Sequence, residues 1–233
     1  MSYPLALAMM VVAYVAIIMC MKHMHNTRFW NTVFGCSVLG FYIILLTVTY
    51  RHVGFDDWNF QNMLPMANVS PFMFSVVPVI LILPWFLKRY AYTLISLLCV
   101  GMFLSFALGC VYNTLIDYRF IPSFMLDYLA HLMISLWGVY LVRSGTVKLD
   151  RRGCIIGGSI IVVVAVSMLI INLMLGTSYF GLSFDGGHNI YNVVFTDNPY
   201  VSAAVYFIGL IGVMVLGYLY NRALSHLMHY PCR

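Results

Sequence analysis

The sequence predicts an all-α polytopic membrane protein, a seven-transmembrane-helix bundle with its N-terminus outside and its C-terminus in the cytoplasm. Three observations predict it. Of 233 residues, 63% are hydrophobic and only 8% are charged, where soluble domains carry about 25% charged residues. Apolar runs of membrane-spanning length recur along the whole chain. Basic residues alternate from one side of successive runs to the other. A soluble enzyme, a disordered chain or a nucleic-acid binder would need far more polar surface, so those classes are excluded.

The runs cover approximately 3–21, 30–50, 69–87, 91–112, 120–142, 154–175 and 199–220. Each approaches the roughly 20 residues that cross a hydrocarbon core. In lipid the backbone must satisfy its own hydrogen bonds, so the runs are helices. Residues 1–233 then form a single transmembrane domain. The first run lacks a basic n-region and is too long for a signal peptide, so it is read as a retained span.

The charges orient the bundle. Lys22 and Arg28 follow the first run, and Lys88 and Arg89 follow the third. Arg143, Lys148, Arg151 and Arg152 follow the fifth, and Arg222 and Arg233 follow the seventh. The other side holds only Arg51 and Arg119. By the positive-inside rule the first set is cytoplasmic. Asp56, Asp57, Asp117, Asp185 and Asp197 fall outside, Asp150 falls inside, and Asp127 lies within the fifth run. There is no Glu.

Several features read two ways. The connections 51–68 and 176–198 are long enough to be binding loops, or they are solvated connectors. Pro71, Pro78 and Pro84 kink or break the third run, which suits a transporter site or plain packing. Gly101, Ser105 and Gly109, and also Gly153 and Gly157, let another helix approach closely, within this chain or in an oligomer. Cys20, Cys36, Cys99, Cys110, Cys154 and Cys232 show neither a CxxC pattern nor metal spacing, and most behave as small hydrophobes. No cofactor and no metal is implied.

The fifth run carries the chemistry. Ser123, Asp127, His131 and Ser135 recur every four residues and form one polar stripe on a helix. Asp127 and His131 are close enough to pair. At 1.5 Å rise per residue, His131 lies roughly 17 Å below the outer boundary, near the midplane. An ionisable pair at that depth costs several kcal/mol unless partnered, so the stripe must face the bundle interior or a cavity. Asp127 would orient the His131 ring, and the neutral imidazole would serve as a general base or a proton carrier. The alternative is a hydrogen-bonded pair that fixes helix packing. Asn68, Ser70, Asn113, Asn172 and Tyr179 lie toward the same outer boundary and would line an outward-opening pocket, with Ser123, for a small-molecule or lipid ligand.

Three segments in order resemble one family: Leu64-Pro65-Met66-Ala67-Asn68-Val69-Ser70-Pro71-Phe72, His131 with Trp137-Gly138-Val139-Tyr140-Leu141, and Ile171-Asn172-Leu173-Met174-Leu175-Gly176-Thr177-Ser178-Tyr179. Together they resemble the YwaF-type integral membrane proteins of bacteria over roughly 60–220. That group is distantly similar to eukaryotic acyltransferases that remodel phospholipids. The resemblance implies a bacterial plasma membrane, membrane lipids as partners, and carried-over roles for His131, Asn172 and Tyr179. The family pattern commonly reads LPxHxC at the first segment, and residues 64–69 here contain neither His nor Cys. A thioester route through that Cys therefore lacks its nucleophile. Direct acyl transfer with His131 as base needs none, and Ser70 is the nearest substitute nucleophile.

The sequence leaves three functions open: a lipid-modifying enzyme, a transporter or binding protein for a small solute, and a non-catalytic membrane component. The orientation is directly testable. A cysteine introduced into 176–198 should react with an impermeant thiol reagent applied to intact cells. One introduced at Lys148 should react only after permeabilisation.

Overall fold

A computed structural model describes residues 2–53, 73, 74, 80, 82–115, 122–175 and 199–227. The described chain contains six long helices and no strand. They are α1 (Tyr3–Cys20), α2 (Thr27–Val53), α3 (Trp85–Leu115), α4 (Pro122–Arg143), α5 (Arg151–Leu175) and α6 (Pro199–Leu227), with a 3-10 turn at Met21–His23 after α1. All six are long and apolar enough to cross a membrane.

The helix starts follow from residues that tolerate or replace a missing backbone partner. Proline lacks an N–H that the first turn could not use anyway, and its φ is already helical. Pro4 sits in the first turn of α1 after an extended Ser2. Pro122 and Pro199 open α4 and α6. The carbonyl of Pro84 accepts from the Leu87 and Lys88 amides, each at 3.0 Å, and so starts α3. The two remaining helices start on side-chain caps. Asn26 Oδ1 accepts from the Phe29 amide at 3.0 Å, and Asp150 Oδ1 accepts from the Gly153 amide at 2.6 Å. After α4 the chain turns through Gly145 at φ 71°, a left-handed conformation that favours glycine.

The packing is centred on α4, which lies against α3 and α2 and also touches α1 and α6. Its spanning segment is 67% buried, whereas that of α5, packed chiefly on α3, is 22% buried. Leu136, Trp137, Tyr140 and Leu141 of α4 are fully enclosed. Meanwhile Ile155, Val163, Leu173 and Met174 of α5, and Met9, Val12 and Val15 of α1, stand exposed. Apolar surface on that scale is untenable in water and natural in lipid, so this is a membrane-embedded bundle.

Neighbouring helices interlock at glycines. A Cβ on Gly217 of α6 would collide with the backbone carbonyl of Leu97 on α3. One on Gly138 of α4 would lie 2.7 Å from the Ile95 carbonyl oxygen. The stripe of small residues expected on α3 is divided. Gly101 faces Val213 of α6, Gly109 faces Tyr128 of α4 at 3.2 Å, and Ser105 is exposed. Residues four apart drift around a 3.6-residue helix, so the two glycines serve different neighbours. Gly157 packs on Thr93 of α3, as a close-approach glycine should. Gly153 does not meet another helix: its space is taken by the capping Asp150.

The charges are also differently placed from a picture of apolar spans joined by charged loops. Arg28, Lys88, Arg89, Arg143, Arg151, Arg152 and Arg222 all lie within helices, mostly in their terminal turns. The helices overshoot the apolar runs, reaching 31 residues in α3. Of the expected third span, Met73, Phe74 and Ile80 are helical and buried. Most of 69–84, and nearly all of the connections 51–68 and 176–198, lie outside the described residues.

Because Gly217 abuts backbone, which cannot rotate aside, Gly217→Ala should force α3 and α6 apart. A loss of about 1–3 kcal/mol is expected, read as a lower thermal midpoint of the detergent-purified protein. Gly209→Ala, with open space around it, should change the midpoint little.

Candidate functional site

The polar stripe of α4 runs along the most enclosed helix, which is why its members are buried despite their polarity. His131 is 5% exposed. Its Nδ1 lies 2.8 Å from the backbone carbonyl oxygen of Asp127 and 3.4 Å from Asp127 Oδ1. A carbonyl can only accept, so Nδ1 carries the proton in the neutral ring and Nε2 carries the lone pair. The Phe74 ring meets the imidazole edge-on, with centroids 5.1 Å apart, and Tyr42 of α2 lies beyond it at 5.5 Å from Phe74. Asp127 is less enclosed, with its side chain 36% exposed. Imidazole and carboxylate thus pair on one helix face, the first inside the bundle and the second at its margin.

The stripe continues into a polar network that the sequence did not single out. Ser135 Oγ, one turn below His131, donates to the Cys99 carbonyl at 2.6 Å and lies 3.2 Å from Tyr14 Oη. The Tyr14 and Tyr220 hydroxyls approach to 3.5 Å. Asn221 Nδ2 on α6 donates to the Ser96 carbonyl at 2.9 Å and lies 3.3 Å from Cys99 Sγ. Ser96 Oγ in turn reaches the Gly138 carbonyl of α4 at 3.1 Å. These residues draw α1, α3, α4 and α6 together. Tyr14 sits alone in the first span, and the neighbours Tyr220 and Asn221 close the last, so no local spacing links the two ends of the chain.

Below the network, α4 anchors the turn between α1 and α2. Trp137 Nε1 donates to Asn31 Oδ1 at 3.1 Å, and Tyr140 Oη donates to the Met24 carbonyl at 3.1 Å. The Arg143 guanidinium donates to the Ile18 carbonyl in the last turn of α1, where a cation also complements the helix dipole.

The other expected site residues are distributed as follows. Asn172 is buried near the end of α5, whose main neighbour is α3. Asn113 and Ser123 lie on α3 and α4, and their side chains are outside the described residues, as are Asn68, Ser70 and Tyr179 altogether. Among the described residues no group of three His, Cys, Asp or Glu side chains could hold a metal ion.

Comparison with protein-family models, with curated proteins and with solved structures finds no match. The site must therefore be read from its own geometry.

The interhelical bonds set a scale for the network. In membrane proteins such bonds average about 0.6 kcal/mol and reach about 1.7. Asn221→Leu removes three contacts at one buried position, including a 3.0 Å bond to the Gly217 carbonyl. It should fall at the upper end of that range in a denaturant titration, and Ser135→Ala nearer the mean.

Proposed function

We propose that the chain is a seven-span protein of the cell membrane and that Asp127 and His131 form the reacting pair of a lipid-modifying, acyltransferase-like enzyme. The observation that carries this reading is the tethered imidazole. Nδ1 donates to the Asp127 backbone carbonyl and lies 3.4 Å from its carboxylate, so the basic nitrogen is Nε2. As an acceptor hydroxyl attacks an acyl carbonyl, Nε2 removes its proton. Asp127 stabilises the resulting imidazolium. When the tetrahedral intermediate collapses, the proton passes from Nε2 to the departing oxygen, and the ring is neutral again. The YwaF-type resemblance supports the same role for His131.

Chain direction supports the seventh span. The basic residues at the start of α2, the start of α3, the end of α4, the start of α5 and the end of α6 share one end of the bundle. Arg89 of α3 contacts Asp150 before α5 at 3.4 Å, Arg143 reaches the end of α1, and Asn221 of α6 meets Ser96 of α3. α2 leaves that end at Thr27 and α3 starts there again at Trp85. A further span between them is the reading that fits these two ends, and the helical, buried Phe74 beside His131 supports it. Ten of the twelve Lys and Arg then fall on the side that the positive-inside rule assigns to the cytoplasm.

A second reading has its own observation. Ser135, on the same stripe, is engaged in holding α1 and α3, so the whole stripe can be a packing device. His131→Gln and Asp127→Asn separate the two. In vesicles supplied with a labelled acyl donor, the enzyme reading expects His131→Gln to lose at least about 100-fold in acyl transfer with a near-normal thermal midpoint. Unchanged transfer with a lowered midpoint sinks it in favour of packing. Unchanged cellular acyl-chain composition with altered solute uptake would instead make the protein a transporter.

A further inference from the structure

A partly open cleft of about 760 Å³ lies at the cationic end of the bundle, remote from His131. Arg28 and Asn31 of α2, Lys88 and Tyr92 of α3, and the turn Ser144–Thr146 after α4 line it. Among the described residues, two cations face this space and no carboxylate does. Asp150, which precedes α5, is already engaged with Arg89 and with the Gly153 amide. The Arg28 side chain has no hydrogen-bond or ion-pair partner among the described residues. Asn31 is nine-tenths buried, and Trp137 occupies its Oδ1. Its remaining polar group is therefore an NH2 that can only donate. Ser144 and Thr146 hold their hydroxyls 2.7 Å apart on the turn formed by Gly145. The α2 N-terminus is already capped by Asn26, so the attraction here comes from side chains. A guanidinium, an ammonium, a fixed amide donor and paired hydroxyls together make a receptor for a tetrahedral oxyanion.

We infer that this cleft binds a phosphate group. Its level favours a particular source: the ends of membrane-spanning helices on the basic side lie where anionic phospholipid head groups are held. The Arg28 fork takes two phosphate oxygens, Lys88 acts as a point charge, and the Asn31 amide and the hydroxyls fix orientation. The site is independent of the His131 chemistry and would stand if that chemistry failed. It depends on α4 through Trp137, which orients Asn31, and through the last turn of the helix, which holds the Ser144–Thr146 turn in place.

The full chain, purified in a neutral detergent, is tested by native mass spectrometry against phosphatidylglycerol, phosphatidylcholine and inorganic phosphate. Arg28→Gln with Lys88→Gln is compared with Arg152→Gln, an exposed cation outside the cleft. Phosphatidylglycerol should bind in preference to phosphatidylcholine. Each cleft substitution should weaken it about fivefold, and the pair about 25-fold, with Arg152→Gln close to wild type. Thermal midpoints of the variants establish that the fold is intact, and Asn31→Asp, which places a carboxylate against the phosphate, should abolish binding as a second probe. If inorganic phosphate binds with the same dependence on Arg28 and Lys88 while phosphatidylglycerol does not, the phosphate site stands and its lipid source is refuted. If binding of both is insensitive to the cleft variants, or equally reduced by Arg152→Gln, the proposal is overturned.

Discussion

A hydroxyl or amide placed in hydrocarbon has no water to turn to, so it must find its partner on another helix. The geometry of this bundle follows from that constraint as it acts on α4. The helix carries Asp127, His131 and Ser135 on one stripe, and Trp137, Tyr140 and Arg143 below it. Leaving such groups unpaired would cost several kcal/mol each. Four helices and a turn supply the partners: Tyr14 from α1, Met24 and Asn31 around the start of α2, Cys99 from α3, and Asn221 through Ser96 from α6. Dispersion contacts alone would allow α4 to rotate or slide against its neighbours. The polar contacts select one rotation and one depth, and the glycines at 138 and 217 let the backbones come close enough to make them.

The same selection separates the inner helices from the outer one. α5 has few buried polar side chains and turns large aliphatic residues outward, so lipid is an adequate neighbour for most of its surface. α4 has no such choice. The contrast is chemical rather than topological, since both helices are long enough to span and both are flanked by basic residues.

Much of this was legible in the sequence because membrane constraints are simple. Length and hydropathy exposed the six described spans, and the stripe of residues four apart exposed the inward face of α4. Asp127 and His131 stood out since ionisable groups are rare at that depth. The helix ends were less legible. Apolar runs mark where lipid is, not where hydrogen bonding stops, so α3 begins at Trp85 rather than near Ala91 and carries Lys88 and Arg89 inside it. Gly153 looked like a helix-contact glycine, whereas its small size serves the Asp150 cap three residues earlier. The network through Tyr14, Tyr220 and Asn221 was invisible for a different reason. Tyr14 is 206 residues from Tyr220 and its neighbour Asn221, and each alone resembles an ordinary membrane tyrosine or asparagine. The cleft between Arg28 and Lys88 was hidden in the same way, because each cation had already been accounted for by topology.

The clamp that α4 places on the first two helices also has a temporal side. Ile18 and Arg143 are 125 residues apart, and Met24 and Tyr140 are 116 apart. At about 5–20 residues per second, a ribosome needs roughly 6–25 seconds to make the second partner after the first. During that interval the α1–α2 hairpin is already synthesised, yet its connecting turn lacks the aromatic and guanidinium donors that later fix it. The hairpin must therefore wait in a provisional arrangement, held by lipid or by the insertion apparatus. Its final geometry is set from behind by a helix translated much later.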